Sequence, residues 1–208
     1  MKKAFLFLAF ATMLLSATKL QAQIGFHAGY APQRLKTTNA LTDEYSSTLL
    51  HGFYAGVHYT FGIVENFDII PAVQVRMNSA TVKGDVINTQ YWQLAMDVPV
   101  LLSYSYPVYQ DIRIGAFAGP VASVGFSFTE KQYQQKPSEP GQYEIVSTTD
   151  YYSADTRRRF EMNAAVGLYF QYKTYMLYGG YSFGLNNLDK RENFTTRTGA
   201  FLVGIAIH

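Results

Sequence analysis

The stretch W92-QLAMDVPVLLSYSY-106 decides how this chain is read. It is apolar enough for a buried strand, yet Asp97 and Pro99 interrupt it. Taking every second residue separates the two characters. Trp92, Leu94, Met96, Val98, Val100, Leu102, Tyr104 and Tyr106 share one face, and Gln93, Ala95, Asp97, Pro99, Leu101, Ser103 and Ser105 share the other. Successive side chains point to opposite faces of a strand, so one face is continuously oily and the other small and mostly polar. The run is also long. An ordinary strand has about 5–6 residues, whereas a tilted strand crossing a bilayer needs about 9–11.

The same alternation recurs at seven other places. Candidate strands lie at 24–32, 50–61, 67–79, 111–127, 156–172, 175–185 and 196–208. The sixth strand in chain order is the clearest: Phe160, Met162, Ala164, Val166, Leu168, Phe170 and Tyr172 oppose Arg159, Glu161, Asn163, Gly167 and Gln171. Between strands the connections alternate in length. Long ones are expected at 33–49, 80–90, 128–155 and 186–195, and short ones at 62–66, 107–110 and 173–174. Sorting by parity is the habit of up-and-down barrels with short turns at one end and longer loops at the other. The 128–155 connection, with two prolines and several tyrosines, suits either a flexible loop or a small hairpin of its own.

Alternation alone does not say which face is outside. A soluble lipocalin-like barrel has an apolar lumen, and a membrane barrel inverts it. Three features favour inversion. The polar faces are rich in Gly, Ala, Ser and Asn, which suit a crowded interior. The oily faces end in aromatics: Tyr59, Phe61, Phe67, Tyr104, Tyr106, Tyr172 and Tyr175 toward the short turns, and Trp92, Phe126, Phe160, Tyr181 and Phe183 toward the long loops. Two such bands are the expected interfacial girdles. Finally, the strands are long enough to span. The expectation is an all-β, eight-stranded antiparallel up-and-down transmembrane β-barrel whose lumen is filled by side chains. Pro71, Pro99 and Pro120 fall inside three of the strands, where bulges or bends are expected.

The rest of the composition agrees. Residues 1–22 read as a cleaved secretory signal, with Lys2 and Lys3 before the apolar run 4–15 and a small residue at Ala22, leaving 23–208 as the barrel domain. Without Lys2, Lys3 and Lys19, 14 basic residues face 15 acidic ones, so nothing favours nucleic acid as a partner. There is no cysteine, hence no disulfide, and closure must supply the stability.

Four segments carry a resemblance. DVPVLLSYSY, IGAFAGPVASVGF, MNAAVGLYFQY and LYGGYSFGLNNL are similar to successive segments of the PorT-like outer-membrane β-barrel family, over roughly residues 90–208 and more weakly over 24–80. The resemblance implies an eight-stranded barrel in the outer membrane of a Gram-negative bacterium, with no catalytic motif, and some members are thought to assist protein secretion. The chain departs from the pattern at Tyr178 and Gly180, where family members carry charged lumen residues, and at Ile207-His208, which replaces a terminal aromatic.

Inward-facing Arg76, Asp97, Arg113, Arg159 and Glu161, with Asp68 and Asp111 beside them, are expected to form an ion-pair network that plugs the lumen; a gated or narrow pore is the alternative. His27, His58 and His208 fall at one level near the short-turn end, where polar filling is expected and a metal site is the sharper alternative. Asp43, Ser46, Ser47 and His51 bring nucleophile and base types to the first long connection, as in barrels that modify lipids, but no spacing fixes one beside another. Asn193-Phe194-Thr195 matches a glycosylation acceptor by chance. No enzyme activity and no cofactor are expected. The expected role is a structural or binding component with recognition through external loops. A narrow porin-like channel, a secretion accessory, a secreted soluble binding barrel and a lipid-modifying enzyme are the alternatives. Expected partners are outer-membrane lipid and lipopolysaccharide, and another outer-membrane or secretion-complex protein. Both termini should be periplasmic and the four long connections extracellular.

Overall fold

The computed structural model describes residues 23–42, 44–84, 87–135 and 142–208, with the side chain of Gln135 excepted. The signal expected at 1–22, and Asp43, lie outside the described residues. Ten strands form a single antiparallel sheet: β1 (Gln23–Tyr30), β2 (Gln33–Asn39), β3 (Glu44–Val64), β4 (Phe67–Val82), β5 (Ile87–Tyr109), β6 (Ile112–Gln135), β7 (Tyr143–Asp150), β8 (Phe160–Tyr172), β9 (Tyr175–Gly184) and β10 (Phe194–Ile207). The wall has eight strands. β1 and β2 are one strand interrupted at Ala31-Pro32, since both lie between β3 and β10. β7 is an appendage that pairs only with the end of β6. Pairing of β1 with β10, from Phe26↔Ile207 to Tyr30↔Val203, closes the ring. Closure leaves no edge, which is what a sheet needs where lipid offers no hydrogen bonds.

The expected inversion is present. Phe26, Leu168 and Val203 are 66%, 69% and 55% exposed, while Asp97 and Glu161 are 3% and 5% exposed. The outward face is therefore oily, and the charged side chains of the wall's middle lie inside. The aromatic bands form as expected. At the short-turn end Phe67 meets Tyr104 at 4.8 Å between ring centres, and Tyr59 meets Phe61 at 4.2 Å. At the other end Tyr181 packs on Phe201 at 5.0 Å.

Two expectations are corrected. Much of what reads as loop at 33–49 and 80–90 is strand, and 128–155 holds a hairpin, one of the two forms expected for it. β2 and β3 continue as a ladder from Gln33↔Leu50 to Asn39↔Glu44, β4 and β5 to Val82↔Thr89, and β6 pairs β7 from Thr129↔Asp150 to Gln135↔Tyr143. Beyond the girdle the outward face meets water, so the oily half of the alternation disappears there while Thr-rich backbone still ladders. The tight turn expected at 173–174 falls there, the one expected at 62–66 shrinks to Glu65-Asn66, and the one expected at 107–110 moves to Gln110-Asp111; Asn66 and Lys173 have φ of 68° and 54°.

The prolines are the second correction. The register passes Pro71, Pro99 and Pro120 without a shift. Bulges fall instead at Gly62/Val64, Leu94/Ala95, Pro107/Tyr109 and Gln132/Tyr133. Each proline instead removes rungs from its ladder with the preceding strand. Pairing skips from His58↔Ala72 to Phe61↔Ile69, from Pro71↔Val100 to Gln74↔Asp97, and from Pro99↔Val121 to Leu102↔Ala118. A residue without an N–H cannot donate, but it keeps its place in the pleat.

Candidate functional site

The lumen is built in layers by strand parity. Arg76 on β4 reaches diagonally to Asp97 on β5, because Gln74 and not Arg76 stands opposite Asp97. The fork is bidentate: Nε donates to Oδ2 at 2.9 Å and Nη2 to Oδ1 at 3.1 Å. Nη1 donates to Gln33 Oε1 at 2.7 Å, and Gln74 Nε2 donates to Asp97 Oδ2 at 3.2 Å. Glu161 Oε2 lies 3.9 Å from Arg76 Nη2, while its Oε1 accepts a bond from the Thr198 hydroxyl. Burial strengthens each of these interactions and makes an unmatched charge expensive.

Of the five residues expected to form the network, Arg76, Asp97 and Glu161 come together. Arg113 does not join them. It sits opposite Pro107 near a tight turn and donates to Asn66 Oδ1 at 3.2 Å. Arg159 precedes β8 at the other end, exposed, with Nη1 3.4 Å from the Phe126 carbonyl. Parity fixes the side of the wall a residue faces, not its height. Gln33, Gln74 and Thr198 were missed, although their positions share the inward parity; neutral polar residues gave no charge signal to follow.

His27, His58 and His208 do meet at the short-turn end. His27 Nδ1 lies 3.2 Å from His58 Nδ1, His58 Nε2 lies 3.1 Å from His208 Nδ1, and His27 Nε2 lies 2.9 Å from Gln74 Oε1. A continuous file of polar contacts therefore runs from Arg76 and Asp97 through Gln74 to His208. The three imidazoles form a hydrogen-bonded file. His58 turns its two nitrogens toward two different histidines, and no group of three or more His, Cys, Asp or Glu placed to hold a metal occurs among the described residues. Between the histidines and the Arg76 layer lies a cavity of about 130 Å³, with Ile70, Pro99, Leu101, Phe117, Val121 and Leu202 in its wall. Tyr54 and Tyr178 cross it, joined hydroxyl to hydroxyl at 2.9 Å.

An apolar cap seals the long-loop end, and the sequence did not disclose it. Leu35, Leu50, Ala80, Phe128 and Tyr152 form a buried cluster, flanked by Tyr91 and Tyr151. Tyr152 comes from the 151–159 segment and lies over Gly125, where a Cβ would stand 1.9 Å from the hydroxyl oxygen. Arg157 holds its guanidinium 4.4 Å from the centre of the Phe128 ring. Its Nε and Nη2 are buried without a described hydrogen-bond partner, and burial pulls its pKa below the ordinary arginine value. The cap is tied to the 185–193 segment. Arg157 and Asp189 pair through an isolated antiparallel backbone bridge, Arg158 N donates to Leu188 O at 2.8 Å, and Lys190 N to Thr156 O at 3.0 Å. Asp189 is raised by burial but held below the usual carboxylate range by Arg191, which donates Nη2 at 2.7 Å and Nε at 2.9 Å.

Ser46, Ser47 and His51 lie on β3 itself. Ser47 and His51 share the outward face but are four residues, about 13 Å, apart. His51 instead contacts the Tyr30 hydroxyl. They assemble no nucleophile and base.

A closed antiparallel ring with an oily exterior, aromatic girdles and an ion pair in its lumen defines a small transmembrane β-barrel of the outer-membrane type. The chain belongs to the outer membrane protein beta-barrel domain family, whose pattern matches residues 15–190. No curated protein matches the sequence. Solved structures of similar shape include Ail, the attachment invasion locus protein of Yersinia pestis, in complex with the heparin analogue sucrose octasulfate. It shares 12% identity over 89% of this chain and 97% of that one, with a TM-score of 0.47. OprG from Pseudomonas aeruginosa shares 10% over 88% and 94%, with a TM-score of 0.43. The outer membrane enzyme PagL shares 6% over 86% and 99%, with a TM-score of 0.44. The protein is thus an integral protein of the outer membrane.

Proposed function

We propose that this barrel is a non-enzymatic binding or accessory component of the PorT-like kind, recognising its partner through the segments beyond the long-loop girdle. Residues 1–22 serve as the cleaved signal, both termini face the periplasm, and the long-loop end faces outward. One observation carries this reading: the lumen is closed twice, by the Arg76–Asp97 layer and by the Tyr152 cap, while ordered chain continues past the membrane on β2, β3, β6 and β7. Material invested in structured projections, with the bore shut, suits recognition better than transport. The partner is another membrane or secretion-complex protein, or a surface ligand. The test is native pull-down from detergent-solubilised membranes, comparing wild type with a variant in which 130–149 is replaced by a two-residue turn. A partner retained by the first and lost by the second supports the reading. An unchanged partner, or none, refutes recognition by this hairpin.

The cavity of about 130 Å³ favours one alternative, a narrow channel. Planar-bilayer conductance separates the two, because a doubly closed lumen passes essentially no current.

A further inference from the structure

Outside the barrel, just past the aromatic band, three cations stand together. Arg34 and Lys36 are on β2 and Arg197 is on β10, all exposed. Their inward neighbours Gln33, Leu35, Thr196 and Thr198 are buried, so parity turns the three cations to the outer surface of the wall. Register puts Lys36 directly opposite Arg197, with Arg34 opposite Gly199 and so diagonal to Arg197. On the other flank Arg34 faces Leu49 and Lys36 faces Ser47. No acid lies within ion-pair distance of any of the three among the described residues.

This arrangement breaks a rule of sheet pairing, since like charges directly across a ladder repel. The usual reason for lysine on exposed strands, protection of a free edge, does not apply in a closed ring. The clustering is local: outward positions of β4 and β5 beyond the girdle carry Ser79, Thr81 and Gln90, and exposed Lys131 on β6 has Gln90 and Thr148, not a second cation, across its rungs. Below the cations lie Tyr30, Phe53, Tyr181 and Phe201, the upper margin of the oily belt. A ligand suited to the place has acyl chains against that margin and phosphate at the height of the cations. Arginine forks match phosphate oxygens in pairs, and an anion between Lys36 and Arg197 would turn a repulsive pair into a clamp.

We propose that Arg34, Lys36 and Arg197 form a binding site for the phosphate groups of a glycolipid in the leaflet around the long-loop end. The site rests on the outer-membrane placement with that end outward. Phosphate, not the acyl chains, supplies selectivity, because the belt is oily all round whereas the three clustered cations stand at one place on the wall. The paired Lys36–Arg197 rung sets the position of one phosphate, and Arg34, four residues past Tyr30, serves the same headgroup from below.

Native mass spectrometry of the purified full-length barrel in non-ionic detergent, titrated with diphosphorylated lipid A, tests it. Each cation near an anionic headgroup is worth about fivefold in binding, so R34Q/K36Q/R197Q should weaken retention about a hundredfold. Enzymatically dephosphorylated lipid A should be lost from wild type to a similar degree. K83Q, which removes an exposed lysine elsewhere beyond the girdle, should bind as wild type. Heat-modifiable gel mobility confirms folding, and if the triple variant fails to fold, the three single variants should each lose about fivefold. Retention by the triple variant within threefold of wild type overturns the site. So does equal binding of phosphatidylglycerol, which would mark an unselective charged surface. The detergent measurement is independent of loop partners, so loss of the pull-down partner and loss of lipid binding are separate results.

Discussion

Replacing Asp97 with alanine should destabilise the barrel by about 3 kcal/mol. The figure follows from the surroundings of Arg76. At an effective dielectric constant near 20, the 2.9 Å pair is worth about 6 kcal/mol of attraction and the 3.9 Å approach of Glu161 about 4. Breaking a buried pair typically costs about 3–5 kcal/mol because a charge is left unmatched. Glu161 and the Gln33 carbonyl still face Arg76, which places Asp97→Ala at the low end. Glu161→Gln should cost less, as its oxygen is farther away and Thr198 still bonds it. Arg76→Met with Asp97→Leu should recover most of the loss, since an apolar pair of similar bulk leaves no unmatched charge. Equilibrium urea titration in lipid vesicles gives the free energies, and the single tryptophan, Trp92 at the margin of the oily face, reports unfolding by fluorescence. Two results would refute the reasoning. One is Asp97→Ala within about 0.5 kcal/mol of wild type, the range of ordinary surface substitutions. The other is strict additivity of the Arg76 and Asp97 losses, because paired residues must couple.

Gly125→Val should lift the cap without harming the wall, because its Cβ meets the Tyr152 hydroxyl. Undocking Tyr152 forfeits roughly 2 kcal/mol of burial, so chymotrypsin should cut at 151–152 much faster while heat-modifiable mobility is kept. Tyr54→Phe deletes one neutral hydrogen bond across the lumen and should cost about 1 kcal/mol in the same urea titration. For Asp189, a lowered folded pKa means its stabilising contribution is complete above the unfolded value, near 3.9, and is lost as pH falls through the folded value. Pepsin digestion between pH 4 and about 2 should therefore show the 185–193 segment loosening, and Asp189→Asn should be already loose at pH 4 and change little below it.

Much of the wall was legible because a bilayer enforces the alternation. Every outward residue from Phe67 to Met77 on β4 meets lipid, so the period of two is unbroken there and the register follows. Beyond the girdle that enforcement stops. Leu35 reads as a stray apolar residue in a polar loop, and only the pairing Leu35↔Thr48 reveals that it points inward to the cap. Height was illegible for a related reason. Arg113, Asp97 and Arg159 all have inward parity, but the stagger between strands, and the bulge that spends Phe126 between Gly125 and Ser127, decide which charges meet.

Asp97 and Pro99 can now be explained together. Asp97 is inward because its face is, and Arg76, one diagonal away, makes the position tenable. Pro99 is inward too, on the side of the cavity, and its missing N–H faces β4. The rung it removes lies beside those lost to Pro71 and Pro120, so three adjacent ladders are open at one level of the wall, between Tyr59 on β3 and Leu101 on β5. Lipid cannot satisfy carbonyls left without donors there, so the openings would be expected to weaken the barrel. Register holds regardless, because paired rungs resume on both sides: His58↔Ala72 and Phe61↔Ile69 flank the first gap, Pro71↔Val100 and Gln74↔Asp97 the second. The Arg76–Asp97 fork joins β4 to β5 directly beside the second gap. An aspartate in an oily strand thus has a mechanical consequence: it clamps two strands through their side chains where proline has taken the backbone bonds away.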